Sequence, residues 1–247
     1  DRMMSFTGST RAGTAVTRDA ADSVKRVTLE LGGKSPNLVF ADCDLEERIK
    51  QSVAECMFNT GQSCDAPTRL LVERSCYDEV VEIARRAAGA TAVGNPEEEG
   101  DHIGPLFDQI QFDRVQNMIQ VGIDEGATLL VGGLGRPKGF DAGWYVRPTV
   151  FSDVNNTMRI AREEIFGPVL AIIPFDDEEA AVEIANDTPY GLAAYVQTGS
   201  PERAARLSRS LRAGAVHING GAYEYGSPFD GYKASGNGRE GGEMGLE

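Results

Sequence analysis

The sequence predicts an α/β protein built on a largely parallel, twisted sheet flanked by helices. Short apolar runs alternate along the chain with longer segments whose apolar residues recur at helical spacing, and this alternation is typical of βαβ units. The 247 residues, of which 41% are hydrophobic and 25% charged, suffice for one large domain or two ordinary ones with a substantial core. We find no internal repeat and no low-complexity tract.

The helices and strands follow in order along the chain. In the segment 45–57, Leu45, Ile49, Val53 and Met57 fall on one helical face. The segment 201–211 begins with an N-capping Ser and a Pro in its first turn. Helices are predicted at 11–22, 45–57, 77–88, 109–125, 178–186 and 201–211. Strands are predicted at 27–31, 37–40, 69–72, 128–131, 145–151, 169–175, 193–197 and 215–218, before a Gly-rich, less regular tail at 220–245 that can add a strand extension.

Charge and hydropathy exclude several classes of protein. The chain has 24 Lys and Arg against 38 Asp and Glu, a net charge of −14, which repels phosphate backbones and argues against binding to nucleic acid. No apolar run approaches the roughly 20 residues of a membrane-spanning helix, so we expect no membrane association. The segment starting at Asp1 has neither an initiator Met nor a signal peptide, and it reads as the interior of a longer polypeptide.

The cysteines indicate reduced thiols. Cys43, Cys56, Cys64 and Cys76 form no C-x-x-C pair, and the two histidines are not spaced to complete a zinc site. We therefore expect no metal, and a cytoplasmic location, because a chain with an ordinary core has little need of disulfides.

Two Gly-containing motifs precede position 40. Phe-Thr-Gly-Ser-Thr at 6–10 leads into the first helix; it is either an ordinary capped helix or a phosphate-binding helix start. Glu-Leu-Gly-Gly-Lys-Ser-Pro follows at 30–36, and it is not a Walker A loop because position 28 is Thr. Glu30 is a carboxylate in an apolar strand end, so it has either a structural partner or a raised pKa and a proton-transfer role.

Two further motifs carry candidate reactive groups. Phe-Asn-Thr-Gly-Gln-Ser-Cys at 58–64 places Cys64 in a polar loop just after a helix, whereas the other cysteines lie in helical or strand contexts. No Cys–His pair is indicated. Glu-Glu-Ile-Phe-Gly-Pro at 163–168 joins acids and an aromatic before a strand, which is also typical of a turn with a core Phe.

These motifs occur in one order together with Ser-Pro-Phe-Asp-Gly-Tyr-Lys-Ala-Ser-Gly-Asn-Gly-Arg-Glu at 227–240. The series resembles the NAD(P)-dependent aldehyde dehydrogenase superfamily over essentially the whole chain. The resemblance implies that Cys64 is the nucleophile and Glu30 the general base. It implies coenzyme contacts, to NAD or NADP, from Gly8, Ser9, Leu31, Gln111, Glu164 and Phe166, with Arg114 a looser match. Walls of an aldehyde tunnel are expected from Phe58, Tyr223, Tyr225 and Phe229.

The resemblance also implies a domain organisation. Residues 1–31 match the end of a Rossmann-like coenzyme domain, 32–227 the catalytic domain, and 228–247 a segment leading to an oligomerisation strand. The expected partner is a small aldehyde, and the full-length protein is expected to be a homodimer or homotetramer. Because family members carry an N-terminal half that is absent here, we expect this polypeptide alone not to be a competent dehydrogenase.

Two residues depart from the family pattern. Asp230 stands where a Gly is usual, and an Asp in a left-handed conformation would be strained. Asp65 follows the expected nucleophile, and an adjacent carboxylate raises the pKa of a thiol. Two other functions remain as alternatives: a coenzyme-independent cysteine esterase, and a non-catalytic assembly module that uses the Gly-rich tail for subunit pairing.

Overall fold

The alternating elements form two sheets in the computed structural model, which describes residues 3–221 and 226–245. The strands are β1 (Met3–Thr7), β2 (Arg26–Glu30), β3 (Pro36–Val39), β4 (Arg69–Glu73), β5 (Thr128–Val131), β6 (Thr149–Ser152), β7 (Val169–Phe175), β8 (Ala193–Gln197), β9 (Ala215–Ile218) and β10 (Gly236–Asn237). The helices are α1 (Thr10–Ala21), α2 (Leu45–Met57), α3 (Tyr77–Ala90), α4 (Gln109–Asp124), α5 (Arg159–Arg162), α6 (Glu178–Asn186) and α7 (Pro201–Ser210).

The larger sheet has seven strands in the order β5-β6-β7-β4-β3-β8-β9. All neighbours are parallel except β5 and β6, so the predicted α/β class with a mostly parallel sheet is confirmed. The smaller sheet has three strands in the order β1-β2-β10. Here β1 runs parallel to β2, and β10 returns antiparallel on the other side of β2.

Helices cover both faces of the larger sheet. Leu70 and Val72 of β4 pack against α2 and α3, whereas Leu71 between them packs in the cluster of α6 and α7. The same alternation in β7 directs residues to the α2–α3 side or to the side of α4 and α5. This explains why the strands read as continuous apolar runs, since both faces of a parallel sheet are buried.

Local signals fix most element boundaries. The helices α2 and α6 have the predicted bounds, and each begins after an N-cap: Asp44 and Asp177 accept hydrogen bonds from the backbone N–H groups of Glu47 and Ala180. The predicted strand 145–151 is wrong at its start: β6 begins only at Thr149, since Pro148 has no N–H to donate to a ladder. The elements β1 and α5 were not predicted, and β10 lies in the Gly-rich tail, for which only a strand extension was expected.

Arg69 at the start of β4 ties several segments together in the interior. Its side chain is 0% exposed. The guanidinium donates to the backbone oxygens of Lys34, Ile184 and Ala185 at 2.9–3.0 Å. It also donates to Oδ1 of Asn156 at 2.9 Å. Because the backbone groups would otherwise be buried without partners, this residue fixes the larger sheet against the ends of α6 and the loop before β3.

Candidate active site

Glu30 lies at the last position of β2, where the smaller sheet meets the larger one. Its side chain is 4% exposed. The two glycines that follow allow a close approach of other loops: a Cβ on Gly32 would lie 2.1 Å from Oε2 of Glu164, and one on Gly33 would lie 2.5 Å from the backbone oxygen of Cys64. Gly-Gly at this position therefore brings the 163–168 and 58–64 motifs next to the end of β2.

Cys64 follows a strained turn after α2. Asn59, Thr60 and Gly61 have φ values of 49°, 59° and 69°, and a β-branched residue in the left-handed region is strained by about 1–3 kcal/mol. The turn is held by Oγ1 of Thr60, which donates to the backbone oxygen of Gly104 at 3.0 Å. It directs the chain so that the half-buried Cys64 faces Glu30, while Cys56 and Cys76 are buried in the core.

The Cys64 thiol and the Glu30 carboxylate border the same cavity, and each shifts the pKa of the other. Burial raises the pKa of Cys64 well above its ordinary value of 9.0; the charge of Glu30, its hydrogen bond and the charge of Asp65 raise it further. The expected effect of Asp65 is thus confirmed in direction. Burial also raises the pKa of Glu30, against the lowering effect of the Cys64 hydrogen bond. Resting Cys64 is therefore a protonated thiol next to a carboxyl group that can accept its proton.

The helix α4 holds the 163–168 loop from behind. Nε2 of Gln111 donates to the backbone oxygens of Ile165 at 2.9 Å and Phe166 at 2.6 Å. Nη2 of Arg114 donates to the backbone oxygen of Glu164 at 2.5 Å. These bonds stabilise Phe166 at a φ of 58°. Oε1 of Glu164 accepts the backbone N–H of Gly33 at 3.2 Å, and burial raises the pKa of Glu164 despite this bond.

One cavity of about 460 Å³ joins most of the predicted site residues. It is lined by Thr7, Gly8, Ser9, Glu30, Gly32, Gln62, Ser63, Cys64, Phe107, Gln111, Arg114, Glu164 and Phe166. Ser9 is the N-cap of α1, and its Oγ accepts the N–H of Ala12 at 3.3 Å. The backbone N–H groups at the start of α1 and the Cys64–Glu30 pair thus border the same space.

Leu31 is the predicted coenzyme residue that does not line this cavity. Its side chain packs under α1, where a Cβ on Gly13 would meet it at 2.6 Å, and its N–H donates to the backbone oxygen of Ser235 at 2.9 Å. Gln111 lines the cavity, but its amide N–H groups are used within the protein. The coenzyme roles of both residues stay predictions.

A second cavity of about 450 Å³ is lined by Asp65, His217, Phe229, Glu240 and Gly241. Phe229 thus borders a space beside the residue that follows Cys64. Phe58 is 69% exposed on the protein surface. Tyr223 and Tyr225, the other expected tunnel walls, lie outside the described residues.

Sequence reasoning missed two buried charges near the site. Lys34 is 1% exposed, and its Nζ has no partner among the described residues; burial lowers its pKa to about 7. Asp230 is 2% exposed and does not have a positive φ, so the strain expected there is absent. A Lys between a Gly pair and a mostly apolar strand was the available signal for the first. The second was marked only as an Asp in place of the usual Gly, and this departure did not indicate that the carboxylate is buried.

The described part of the chain has no group of three or more His, Cys, Asp or Glu side chains that could hold a metal ion. Within residues 3–221 and 226–245, no helix is long and apolar enough to cross a membrane.

Comparisons with known proteins agree on one family. Residues 2–247 match the model of the aldehyde dehydrogenase family. The chain is 54% identical over 245 residues to a 3-succinoylsemialdehyde-pyridine dehydrogenase from a Pseudomonas species, covering 99% of this chain and 51% of that protein. It is 46% identical to a putative aldehyde dehydrogenase of Staphylococcus saprophyticus, covering 100% of this chain and 52% of that protein.

Solved structures give the same result. An aldehyde dehydrogenase C variant from Pseudomonas syringae, in complex with NAD+ and octanal, has a TM-score of 0.97 at 51% identity and covers 99% of this chain and 50% of its own. An aldehyde dehydrogenase of Mycobacterium tuberculosis in complex with NAD+ has a TM-score of 0.97 at 48% identity, with coverages of 99% and 50%. The chain therefore spans about half the length of the relatives it matches.

Proposed function

Because the chain belongs to the aldehyde dehydrogenase family, we propose that its Cys64 and Glu30 act in the oxidation of an aldehyde to a carboxylic acid with NAD or NADP. The observation that carries this proposal is the placement of both the Cys64 thiol and the Glu30 carboxylate at the wall of the 460 Å³ cavity. A nucleophile within reach of a base is the arrangement that covalent catalysis requires.

The residues of this chain act in two stages. First, Glu30 accepts the proton of Cys64 as the sulfur bonds to the aldehyde carbon, and the backbone N–H of Cys64 stabilises the oxygen anion of the thiohemiacetal. Oxidation of that adduct leaves a thioester on Cys64. After losing the first proton to solvent, Glu30 takes a proton from water; the water oxygen bonds to the carbonyl carbon, the C–S bond breaks and the Cys64 sulfur leaves as thiolate.

The cavity suits a nicotinamide dinucleotide, whose chemistry when bound is to accept the hydride of the thiohemiacetal. Gly8 and Ser9 present the N-terminus of α1, which attracts phosphate. The carboxylate of Glu164 can accept hydrogen bonds from a ribose, and the absence of a Cβ at Gly32 keeps it at the cavity wall. Phe166 offers an apolar surface for the ring, and NAD+ complexes of neighbouring structures support this assignment.

The domain organisation is part of the same proposal. The strands β1 and β2 and the helix between them belong to the coenzyme domain, 32–227 forms the catalytic domain, and 228–247 leads to a subunit contact. The separate three-stranded sheet supports a boundary near residue 31. We further propose that the full-length protein is a homodimer or homotetramer and that it is located in the cytoplasm. Residues 1–247 on their own are proposed not to be competent as a dehydrogenase.

The test is NADH formation with NAD and a set of aliphatic aldehydes, with these residues in the longest natural chain that contains them. Cys64→Ala should abolish NADH formation, whereas the matched Cys43→Ala variant should retain it. Glu30→Gln should give at most a single stoichiometric burst, because the thioester is then not hydrolysed. Sustained turnover by a folded Cys64→Ala protein would refute the proposal.

Esterase activity is a second candidate, favoured by the presence of both Cys64 and Glu30 in this one chain. A nitrophenyl ester should release a burst of nitrophenol from residues 1–247 without coenzyme. The burst should be absent in Cys64→Ala and present in Cys43→Ala. If the folded chain releases no burst, esterase activity is excluded. The dehydrogenase proposal is then decided by the NADH measurement alone.

A further inference from the structure

Asp230 is a second buried carboxylate beside Glu30. The two side chains are 2% and 4% exposed, so both are removed from bulk water. Among the described residues, Oδ2 of Asp230 and Oε1 of Glu30 each lack a hydrogen-bond partner. Two carboxylates in one dry region are not ionised together without a large electrostatic cost.

The backbone of β10 brings the two groups close. Gly236 pairs with Glu30 across the antiparallel β10–β2 ladder. A Cβ on Gly236 would lie 3.0 Å from Oδ1 of Asp230 and 1.9 Å from the backbone oxygen of Leu29. A single glycine thus separates the Asp230 carboxylate from the strand end that carries Glu30, and only glycine permits this distance.

Asp230 is itself fixed in place. A Cβ on Gly214 would lie 1.7 Å from the backbone oxygen of Asp230, so β9 and its preceding loop pack directly against this residue. Its carboxylate accepts the N–H of Gly231 through Oδ1 at 2.5 Å. The charge at position 230 therefore has a defined place relative to β2.

The surroundings of the two carboxylates differ. Burial raises the pKa of Asp230, and the charge of Glu240 adds to this effect, whereas the Gly231 N–H and the cation of Arg239 oppose it. Burial also raises the pKa of Glu30; the Cys64 hydrogen bond opposes this effect, and the carboxylates of Asp230, Glu240 and Asp65 add to it. Because the neighbouring cation favours the ionised form of Asp230, we expect Asp230 to ionise first and Glu30 to keep its proton to higher pH.

We propose that Asp230 is a positioning residue for the proton of Glu30: a buried carboxylate held one glycine away from the end of β2, it opposes the removal of that proton and so makes Glu30 a stronger base. The role in catalysis rests on the proposed function, because the proton matters only if Glu30 acts on Cys64 and water. The pKa of Glu30 is raised first by burial, and Asp230 is the largest of the charges that raise it further.

The decisive measurement is the titration of Glu30 itself. In protein labelled with ¹³C-carboxyl glutamate, the Glu30 resonance is assigned by its absence in Glu30→Gln. Asp230→Asn keeps the shape and the acceptor for the Gly231 N–H but removes the charge, and it should lower the titration midpoint of Glu30 by about one pH unit or more. Asp113→Asn, the same change on the exposed face of α4, should leave that midpoint in place.

A second variant covers a failure of Asp230→Asn to fold. Asp230→Gly removes the same charge and places at this position the residue that is usual in the family pattern, so it should also lower the titration midpoint of Glu30. An unchanged Glu30 midpoint in either folded variant overturns the inference.

Activity then separates this inference from the proposed function. The acid limb of nitrophenyl-ester hydrolysis should move to lower pH in Asp230→Asn in parallel with the Glu30 midpoint. If Glu30 titrates as expected but Glu30→Gln hydrolyses esters normally, the coupling stands and the proposed function of Glu30 fails. A displaced acid limb with an unmoved Glu30 resonance would instead assign the effect of Asp230 to another group and overturn the inference.

Discussion

Two buried polar regions of this protein are built in opposite ways. Around Arg69, a fully buried cation donates to four acceptors at 2.9–3.0 Å. At the end of β2, Glu30, Lys34 and Asp230 are equally buried, yet each has a side-chain atom without a partner among the described residues.

The two regions have different roles: the hydrogen-bonded groups around Arg69 stabilise the fold, whereas the unpartnered groups near Glu30 can exchange protons. Burial lowers the pKa of Arg69 only to about 10, so it stays charged at neutral pH and serves packing. Burial moves the pKa of Glu30 upward and that of Lys34 down to about 7, toward the range in which a group exchanges protons. Unsatisfied buried groups destabilise a fold, and they are most often found where a site requires them.

The largest effect on stability should come from a change at Arg69, whose guanidinium donates to four acceptors. Arg69→Met leaves buried backbone oxygens of β3, α6 and their loops without donors, and we expect a loss of about 3–5 kcal/mol in the free energy of unfolding. Urea denaturation measures it. Arg74→Met removes an exposed ion pair with Asp176 and should leave the urea midpoint unchanged. Equal stability of Arg69→Met and the native protein would contradict the comparison.

Glu30→Gln should lower the catalytic rate without lowering stability, in contrast to Arg69→Met. Loss of a general base lowers the rate of thioester or ester hydrolysis by about 10²–10⁴-fold. The fold should not lose stability, because a buried carboxylate without a full set of partners is replaced by a neutral amide. Steady-state kinetics and urea denaturation of the same preparation separate the two results.

The pH dependence of stability checks the same residue. The pKa of folded Glu30 lies above its ordinary value of 4.5, so the native state binds the proton more tightly than the unfolded chain. The contribution of Glu30 to stability therefore falls as pH rises from 4.5 through the folded pKa. Between pH 4.5 and the folded pKa, the stability of Glu30→Gln should therefore rise relative to that of the native protein. A fall of this stability difference with rising pH would contradict the upward direction of the Glu30 pKa shift.

Lys34 should give the reverse pH dependence. Its pKa is about 7 in the folded protein against an ordinary 10.5, so the unfolded chain binds more protons between these values. The native protein should gain up to about 1.4 kcal/mol per pH unit from this group as pH rises from 7 to 10.5. Lys34→Met removes this gain, and the difference between the two proteins in urea titrations at several pH values isolates it. If the free energy of unfolding rises equally with pH in the native protein and in Lys34→Met, Lys34 is not buried without a partner.

The smallest effect concerns the support of the 163–168 loop. Gln111→Leu removes two hydrogen bonds to buried backbone oxygens and should cost about 1–3 kcal/mol of stability and raise the KM for the coenzyme. Gln120→Leu on the same helix removes only an exposed bond to Asp124 and should change neither. An unaltered KM in Gln111→Leu would show that the loop keeps its position without α4.

Much of the fold and part of the site were readable in the sequence. The bounds of α2 were predicted from apolar residues at helical spacing, and those of α6 from the acids at its start. Cys64 and Glu30 were selected because their residue types are unusual for their local context. By contrast, β1 was missed, since most of its side chains are exposed and its place depends on pairing with β2. The two residues of β10 were expected only as an unspecified strand extension of the Gly-rich tail, because their pairing with β2 spans the whole chain.

The sequence by itself determined the α/β class, the order of most elements, the family and the two residues proposed for the chemistry, because local periodicity, capping and ordered motifs carry that information. Only the tertiary structure decided which groups share a region: Asp230 beside Glu30, Gln111 behind Phe166, and Lys34 sealed in the interior. Burial and electrostatic coupling arise between segments far apart in sequence, and no local pattern encodes them.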